Sequence, residues 1–282
     1  MTITSGVAAM LCVALGATSA LAADATPPAR ATVTWTGFYT GLNIGFGAQS
    51  STATFVGNDP LMTAVLAGTT GLPGATPASA VNVDPRGATA GLQLGYTWKL
   101  NPAWVAGVEA DLTGSGIRGE GTSSYTLLTG TPPFTLAARQ EISWFGTLRA
   151  KLGWLANDNL LLYGTGGLAY GRVKEGASLM MTGIGTNITT AFGFGYLCTG
   201  GVPCFTGESS RFSAGWTLGG GAELAIASNV SLKAEYLYVN LGADTVRVVA
   251  VNPPAPNAAA SFNAQFRAAD FHLGRIGLNY RF

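Results

Sequence analysis

From residue 35 to residue 282 one local pattern returns eight times: apolar side chains at every second position, with small or polar ones between them. A period of two sets alternate side chains on opposite faces of a strand. The stretches are 35–47, 87–100, 104–113, 139–154, 160–173, 213–226, 230–241 and 266–282. In the first, Phe38, Leu42, Ile44 and Phe46 alternate with Tyr39, Gly41, Asn43 and Gly45. In the last, Ile276, Leu278, Tyr280 and Phe282 alternate with Arg275, Gly277, Asn279 and Arg281. The fifth is apolar or small on both faces, and its facing stays open.

The connections alternate in length. Short turns fall near 101–102, 155–159 and 227–229, and long connections at 48–86, 114–138, 174–212 and 242–265. Such alternation predicts an all-β fold: an eight-stranded antiparallel up-and-down transmembrane β-barrel with three short periplasmic turns and four longer extracellular loops. Thr52–Val56 and Ala177–Met181 are candidates for extra hairpins above the membrane. Trp35, Trp98, Trp104, Trp154 and Phe282 fall near the short-turn end, where amphipathic rings are expected at an interface. An alternating strand that ends on an aromatic suggests a closing strand, with Tyr280 and Phe282 as its assembly signal.

In hydrocarbon every backbone polar group must be paired, so the sheet must close and turn its apolar face to lipid. That choice sends Glu109, Asp111, Arg149, Lys151, Glu223, Lys233, Glu235 and Arg275 inward, acids and bases in equal number. An eight-stranded ring is just wide enough for side chains to fill. The expected interior is therefore a network of paired charges, with a conductive lining as the alternative.

Only 10% of residues are charged, against about 25% in ordinary soluble domains. Yet residues 23–282 hold no run of roughly twenty apolar residues, as a membrane helix needs. A net charge of +1 offers no basic face for nucleic acid. Residues 1–22 read as a cleavable signal peptide, with an apolar core from Val7 to Leu21 and Ala20-Leu21-Ala22 at its end. Residues 23–34 then form a short periplasmic segment and 35–282 the barrel domain. Cys12 leaves with the signal. Cys198 and Cys204 remain, and an even count in an exported protein favours a disulfide between them, with a free thiol pair or a metal site as alternatives.

Two weaker signals point elsewhere. Gly164-Thr165-Gly166 with Ala169 imitates a dinucleotide fingerprint, but no amphipathic helix follows it. His272, the single histidine, stands two residues from Asp270 on the closing strand, which leaves a catalytic pair geometrically open. A lone histidine at that place is more often an interfacial residue. The reading is a non-enzymatic protein without cofactor or metal.

WTGFYTGLNIGFG, GLQLGYTWKL, SWFGTLRAKLGW, YGTGGLAYGRV, GWTLGGGAEL, SLKAEYLYVNLG and GLNYRF together resemble the porin-like outer-membrane proteins of alphaproteobacteria, the RopB-type major outer-membrane protein family. The resemblance runs from Trp35 to Phe282. It implies a barrel in the outer-membrane lipid, inserted by the barrel-assembly machinery through Phe282, with a structural, envelope-stabilising role and surface-exposed loops. It carries no catalytic residues. Function is thus expected to be structural or surface-interacting. A passive channel for small solutes and an adhesin acting through residues 48–86 and 174–212 are the alternatives, and the residues identify no extracellular ligand.

Overall fold

The computed structural model describes residues 34–69, 74, 76–78, 80–126, 133–181, 186–187, 197–198, 202–251 and 260–282. The expected signal peptide lies outside the described residues. Period-two alternation yields long strands: β1 (Gly37–Ala48), β2 (Thr52–Gly57), β3 (Val81–Asn82), β4 (Arg86–Lys99), β5 (Trp104–Tyr125), β6 (Phe134–Asn157) and β7 (Leu160–Met181). After β8 (Thr186–Asn187) and β9 (Leu197–Cys198) come β10 (Pro203–Ala225), β11 (Val230–Asn240), β12 (Asp244–Ala250), β13 (Ser261–Phe266) and β14 (Asp270–Arg281). A helix of about two turns, α1 (Pro60–Ala67), follows β2. The Asp59 carboxylate accepts from Met62 N at its start, and Gly68 at φ 67° ends it in the left-handed region that glycine adopts without strain.

Among the described residues, β8 and β9 pair with each other and the other strands form a 12-stranded antiparallel sheet in the order β11-β14-β1-β4-β5-β6-β7-β10-β12-β13-β2-β3. The expected eight-stranded up-and-down transmembrane barrel with four longer loops is corrected by this 12-stranded sheet. The connection 48–86 carries β2, α1 and β3, and 242–265 carries β12 and most of β13. The stretches 114–138 and 174–212 are largely continuations of β5, β6, β7 and β10, which reach 22 to 24 residues. The last alternating segment also divides: Phe266 closes β13, and β14 begins at Asp270.

β10 branches the sheet. Its end toward the short turns, Trp216–Ala225, pairs with β11, so that β11-β14-β1-β4-β5-β6-β7-β10 closes as a hydrogen-bonded ring. At its other end Phe205 and Thr206 pair with β12, and the sheet runs on through β13 and β2 to β3. The four long strands thus serve a lower part, toward the short turns, and an upper part beyond it. Register shifts mark the change, between Gly114 and Ile117 on β5 and between Ile142 and Trp144 on β6. An extra residue in one strand resets its alternation while keeping the same face inward.

The outer face of the lower part is apolar and the inner face polar. Phe38, Leu42, Ile44, Leu92, Leu94, Leu112, Leu148, Leu168, Leu218, Ile276 and Leu278 are exposed, while Asn43, Gln93, Thr147, Asn279 and the charged residues are buried. A water-soluble sheet would have the reverse arrangement. The upper part surrounds an apolar cluster that includes Met62, Val65, Leu66, Tyr125, Phe134, Leu136, Phe205, Val248 and Phe262.

A buried charge network as the candidate functional site

Parity along each strand decides which charges meet. On β5, Glu109 and Asp111 share the inward face with Val105 and Thr113. Arg149 and Lys151 do so on β6, Glu223 on β10, Lys233 and Glu235 on β11, and Arg275 on β14. All eight predicted inward charges are buried, and they are joined. Arg149 is the hub of one half: its guanidinium pairs with Glu109, with Asp111 at 3.0 Å and with Glu235 at 3.0 Å. Arg275 reaches Asp111 at 3.1 Å and donates from Nε to Glu235 at 2.6 Å. Lys233 Nζ donates to both oxygens of Glu109, at 2.6 and 2.8 Å. Lys151 lies 3.4 Å from Glu109 and 3.4 Å from Glu223.

Several members lay outside the set of alternating charges. Tyr39 donates its hydroxyl to Glu109 at 2.6 Å, Tyr163 to Glu235 at 2.8 Å, and Thr147 to Asp111 at 2.7 Å. Arg281 approaches Glu223 at 3.5 Å and adds a fifth cation. Gln93 and Asn279 bond each other, and Asn279 also donates to Glu223 at 3.2 Å. Tyr39, Gln93, Thr147, Asn279 and Arg281 stand at inward positions by the same count of two that placed the charges, so their signal was parity rather than residue type, whereas Tyr163 lies on the strand whose facing that count left open. Room for Tyr39 comes from Gly95, where a Cβ would fall inside the contact distance of the phenol ring.

Apolar layers close both ends of this network. Above it, Ile117, Ile142, Phe145, Val173, Leu237, Phe271 and Leu273 form one cluster, with the Phe145 and Phe271 rings 5.1 Å apart. Below it, Trp35, Val105, Leu155, Leu161 and Tyr163 form another. Trp35 therefore departs from the expected girdle: it is 2% exposed, donates Nε1 to the Asp158 carbonyl at 2.9 Å, and stacks with the Arg281 guanidinium 5.0 Å away. Trp98, Trp104, Trp154 and Phe282 do face outward at that end. Trp144, Tyr170 and Phe212 form an outward cluster about ten residues further up the strands, a membrane-spanning length for a tilted strand.

The remaining candidates separate from the network. His272 is outward on β14 against Tyr236 and Tyr238, and Tyr238 donates to Asp270 at 2.7 Å. Gly164, Thr165 and Gly166 lie within β7, so the glycine pattern belongs to a strand. The disulfide expected between Cys198 and Cys204 falls partly outside the described residues: Cys204 is disulfide-bonded and buried in the upper cluster, whereas the side chain of Cys198 lies outside the description. No group of three or more His, Cys, Asp or Glu suited to a metal ion occurs among the described residues.

An antiparallel sheet with an apolar exterior, outward aromatics about ten residues apart and a charged interior defines an outer-membrane β-protein. The chain belongs to the outer membrane protein beta-barrel domain family, whose model matches residues 8–282. It is 34% identical to the 31 kDa outer-membrane immunogenic protein of Brucella melitensis over 278 residues, covering 95% of this chain and 96% of the relative. The 22 kDa outer membrane protein of Rhizobium leguminosarum is 28% identical over 146 residues, 52% of this chain and 49% of that one. Among solved structures, the outer membrane protein OprG of Pseudomonas aeruginosa is similar at TM-score 0.43 and 14% identity, covering 89% of this chain and 98% of the other. The protein is thus an outer-membrane protein related to the immunogenic proteins of Brucella.

Proposed function

We propose that the protein is a non-conducting structural and surface component of the outer membrane, held together from within by its charge network. The carrying observation is the pairing of Lys233 with Glu109 across the ring, at 2.6 Å. β11 and β5 lie four strands apart in either direction, so side chains from opposite walls meet in the middle. Apolar layers above and below support the same reading. Paired charges in a dry interior fix one arrangement of the walls, because each is costly to leave without its partner. The short turns face the periplasm and the upper part the exterior, as is general for such proteins.

Planar-bilayer recording on the folded, full-length protein tests the reading. The expected trace is free of steady openings, and reproducible single-channel steps would support a passive channel instead. Removal of residues 1–22 is part of the proposal, and amino-terminal sequencing of protein from the outer membrane should begin at Ala23.

A further inference from the structure

Just above the outward cluster of Trp144, Tyr170 and Phe212, the outer wall changes character. Arg86 on β4 and Arg118 on β5 are direct cross-strand partners, and both are exposed. Like charges placed opposite each other in a sheet repel. Among the described residues neither arginine has an ion pair, and no bond from either to a carboxylate is present. The same row continues from Arg118 to Glu141 on β6 and Lys174 on β7. Glu141 pairs with Lys174 at 3.1 Å and also feels the charge of Arg118 beside it, so one carboxylate serves both cations. One step nearer the aromatics, Arg172 lies between Trp144 and Phe212 in register, and its Nε donates to the Ser210 hydroxyl at 3.1 Å.

Arg172, in the row of Trp144 and Phe212, thus adds a fourth cation to the three, Arg86, Arg118 and Lys174, that share one row with a single carboxylate. The next row up reverses the balance, with Glu120 and Glu208 around Arg139, which is itself paired with Glu208. A positive strip two rows deep, whose lower row is that of Trp144 and Phe212, matches a thin sheet of negative charge at an apolar boundary.

We propose that Arg86, Arg118 and Arg172 form a site for the phosphate-bearing headgroup of an outer-leaflet lipid. Facing guanidiniums offer the bidentate donors that a phosphate accepts, and the bound anion removes the repulsion between Arg86 and Arg118. The lipid's chains would lie against Trp144, Tyr170 and Phe212 below. The site rests on the orientation proposed above, with the upper part outside, but not on whether the interior conducts.

Native mass spectrometry of the full-length protein folded in zwitterionic micelles tests the site. Lipid A carrying two phosphates is the probe, with dephosphorylated lipid A and millimolar inorganic phosphate as comparison arms. Wild type should retain the phosphorylated lipid, and R86A/R118A should weaken retention about tenfold or more. R86K/R118K should keep most of it, and R139A, whose cation is already paired, should match wild type. Heat-modifiable gel mobility confirms that each variant is folded. Equal retention of dephosphorylated lipid, equal loss in R139A, wild-type retention by R86A/R118A, or displacement by inorganic phosphate would each overturn the site. A channel seen in bilayers would defeat the non-conducting reading and leave these lipid results unchanged. Protease accessibility of the upper part in intact cells checks the orientation separately.

Discussion

Glu109 and Lys233 stand on opposite walls of the ring, and their side chains meet within 2.6 Å in its middle. Glu109 also pairs with Arg149, accepts from Tyr39 at 2.6 Å and lies 3.4 Å from Lys151. No other carboxylate in the network ties both walls so directly. Removing its charge leaves buried cations without compensation, a defect that costs about 3–5 kcal/mol. Glu109→Gln should therefore lower the urea midpoint of the micelle-folded protein, followed by tryptophan fluorescence. Glu109→Gln with Lys233→Met removes both partners and should recover part of the loss. A double variant less stable than the sum of the two single changes would contradict the direct pairing.

Tyr39 reaches Glu109 only because Gly95 on the neighbouring strand has no side chain. Gly95→Val should push the phenol aside and strand a buried hydroxyl and a carboxylate acceptor, at a cost of about 1–3 kcal/mol. Tyr39→Phe in the Gly95→Val background should add little, since the bond is already lost. Urea midpoints of the four proteins give the coupling, and simple additivity would count against this geometry.

The lower part of the sheet was legible because its two faces meet opposite solvents. Lipid demands Leu42, Ile44, Leu148 and Leu278, and the interior demands Glu109, Arg149 and Lys233, so a period of two emerges with great contrast. Above the aromatic cluster that contrast fails. Outward residues of β10 such as Thr206, Glu208 and Ser210 alternate with Gly207, Ser209 and Arg211, small or polar on both faces. On β6, Phe134, Leu136, Ala138 and Ile142 do alternate, but Ser143 is unpaired and moves the inward positions from even to odd numbers. A strict count of two changes face at that residue, and the part of the strand before residue 139 reads as a loop. Trp35 misled for a different reason: its residue type suits an interface, whereas its place ahead of β1 lets the ring fold beneath the network.

Glu175 lies on β7 five residues beyond Tyr170, above the membrane-facing band, and accepts from the Gln140 amide at 2.6 Å. Burial pushes its carboxyl up to about 7, and the neighbouring Asp244 carboxylate adds to the rise, while the Gln140 bond and Arg211 oppose it. The folded state therefore holds a proton that the unfolded chain releases near the ordinary carboxylate value. Stability contributed by this group is full at low pH, falls as pH rises from about 4.5 to about 7, and is level above that. Glu175→Gln should flatten that decline and raise the unfolding midpoint at pH 8 relative to wild type. Thermal unfolding in micelles between pH 4 and pH 9 measures both, and a parallel decline in the variant would assign the pH dependence to other groups.

On the non-conducting reading proposed above, the charged network lies between two apolar layers in series along the interior. Phe145 and Phe271 pack edge to face in the upper layer, and each ring deletion there costs about 3–5 kcal/mol. Phe145→Ala with Phe271→Ala opens a cavity above the network, yet Arg149, Lys233 and their carboxylates still fill the section below. That variant should remain silent in planar bilayers while unfolding at lower urea. Glu109→Ala with Lys233→Ala thins the network but leaves the aromatic layer whole, and it too should be silent. With all four substitutions the lower layer of Trp35, Leu155, Leu161 and Tyr163 still closes the section, so that protein too should be silent. Steady conductance from either pair by itself would show that the remaining barrier does not close the interior.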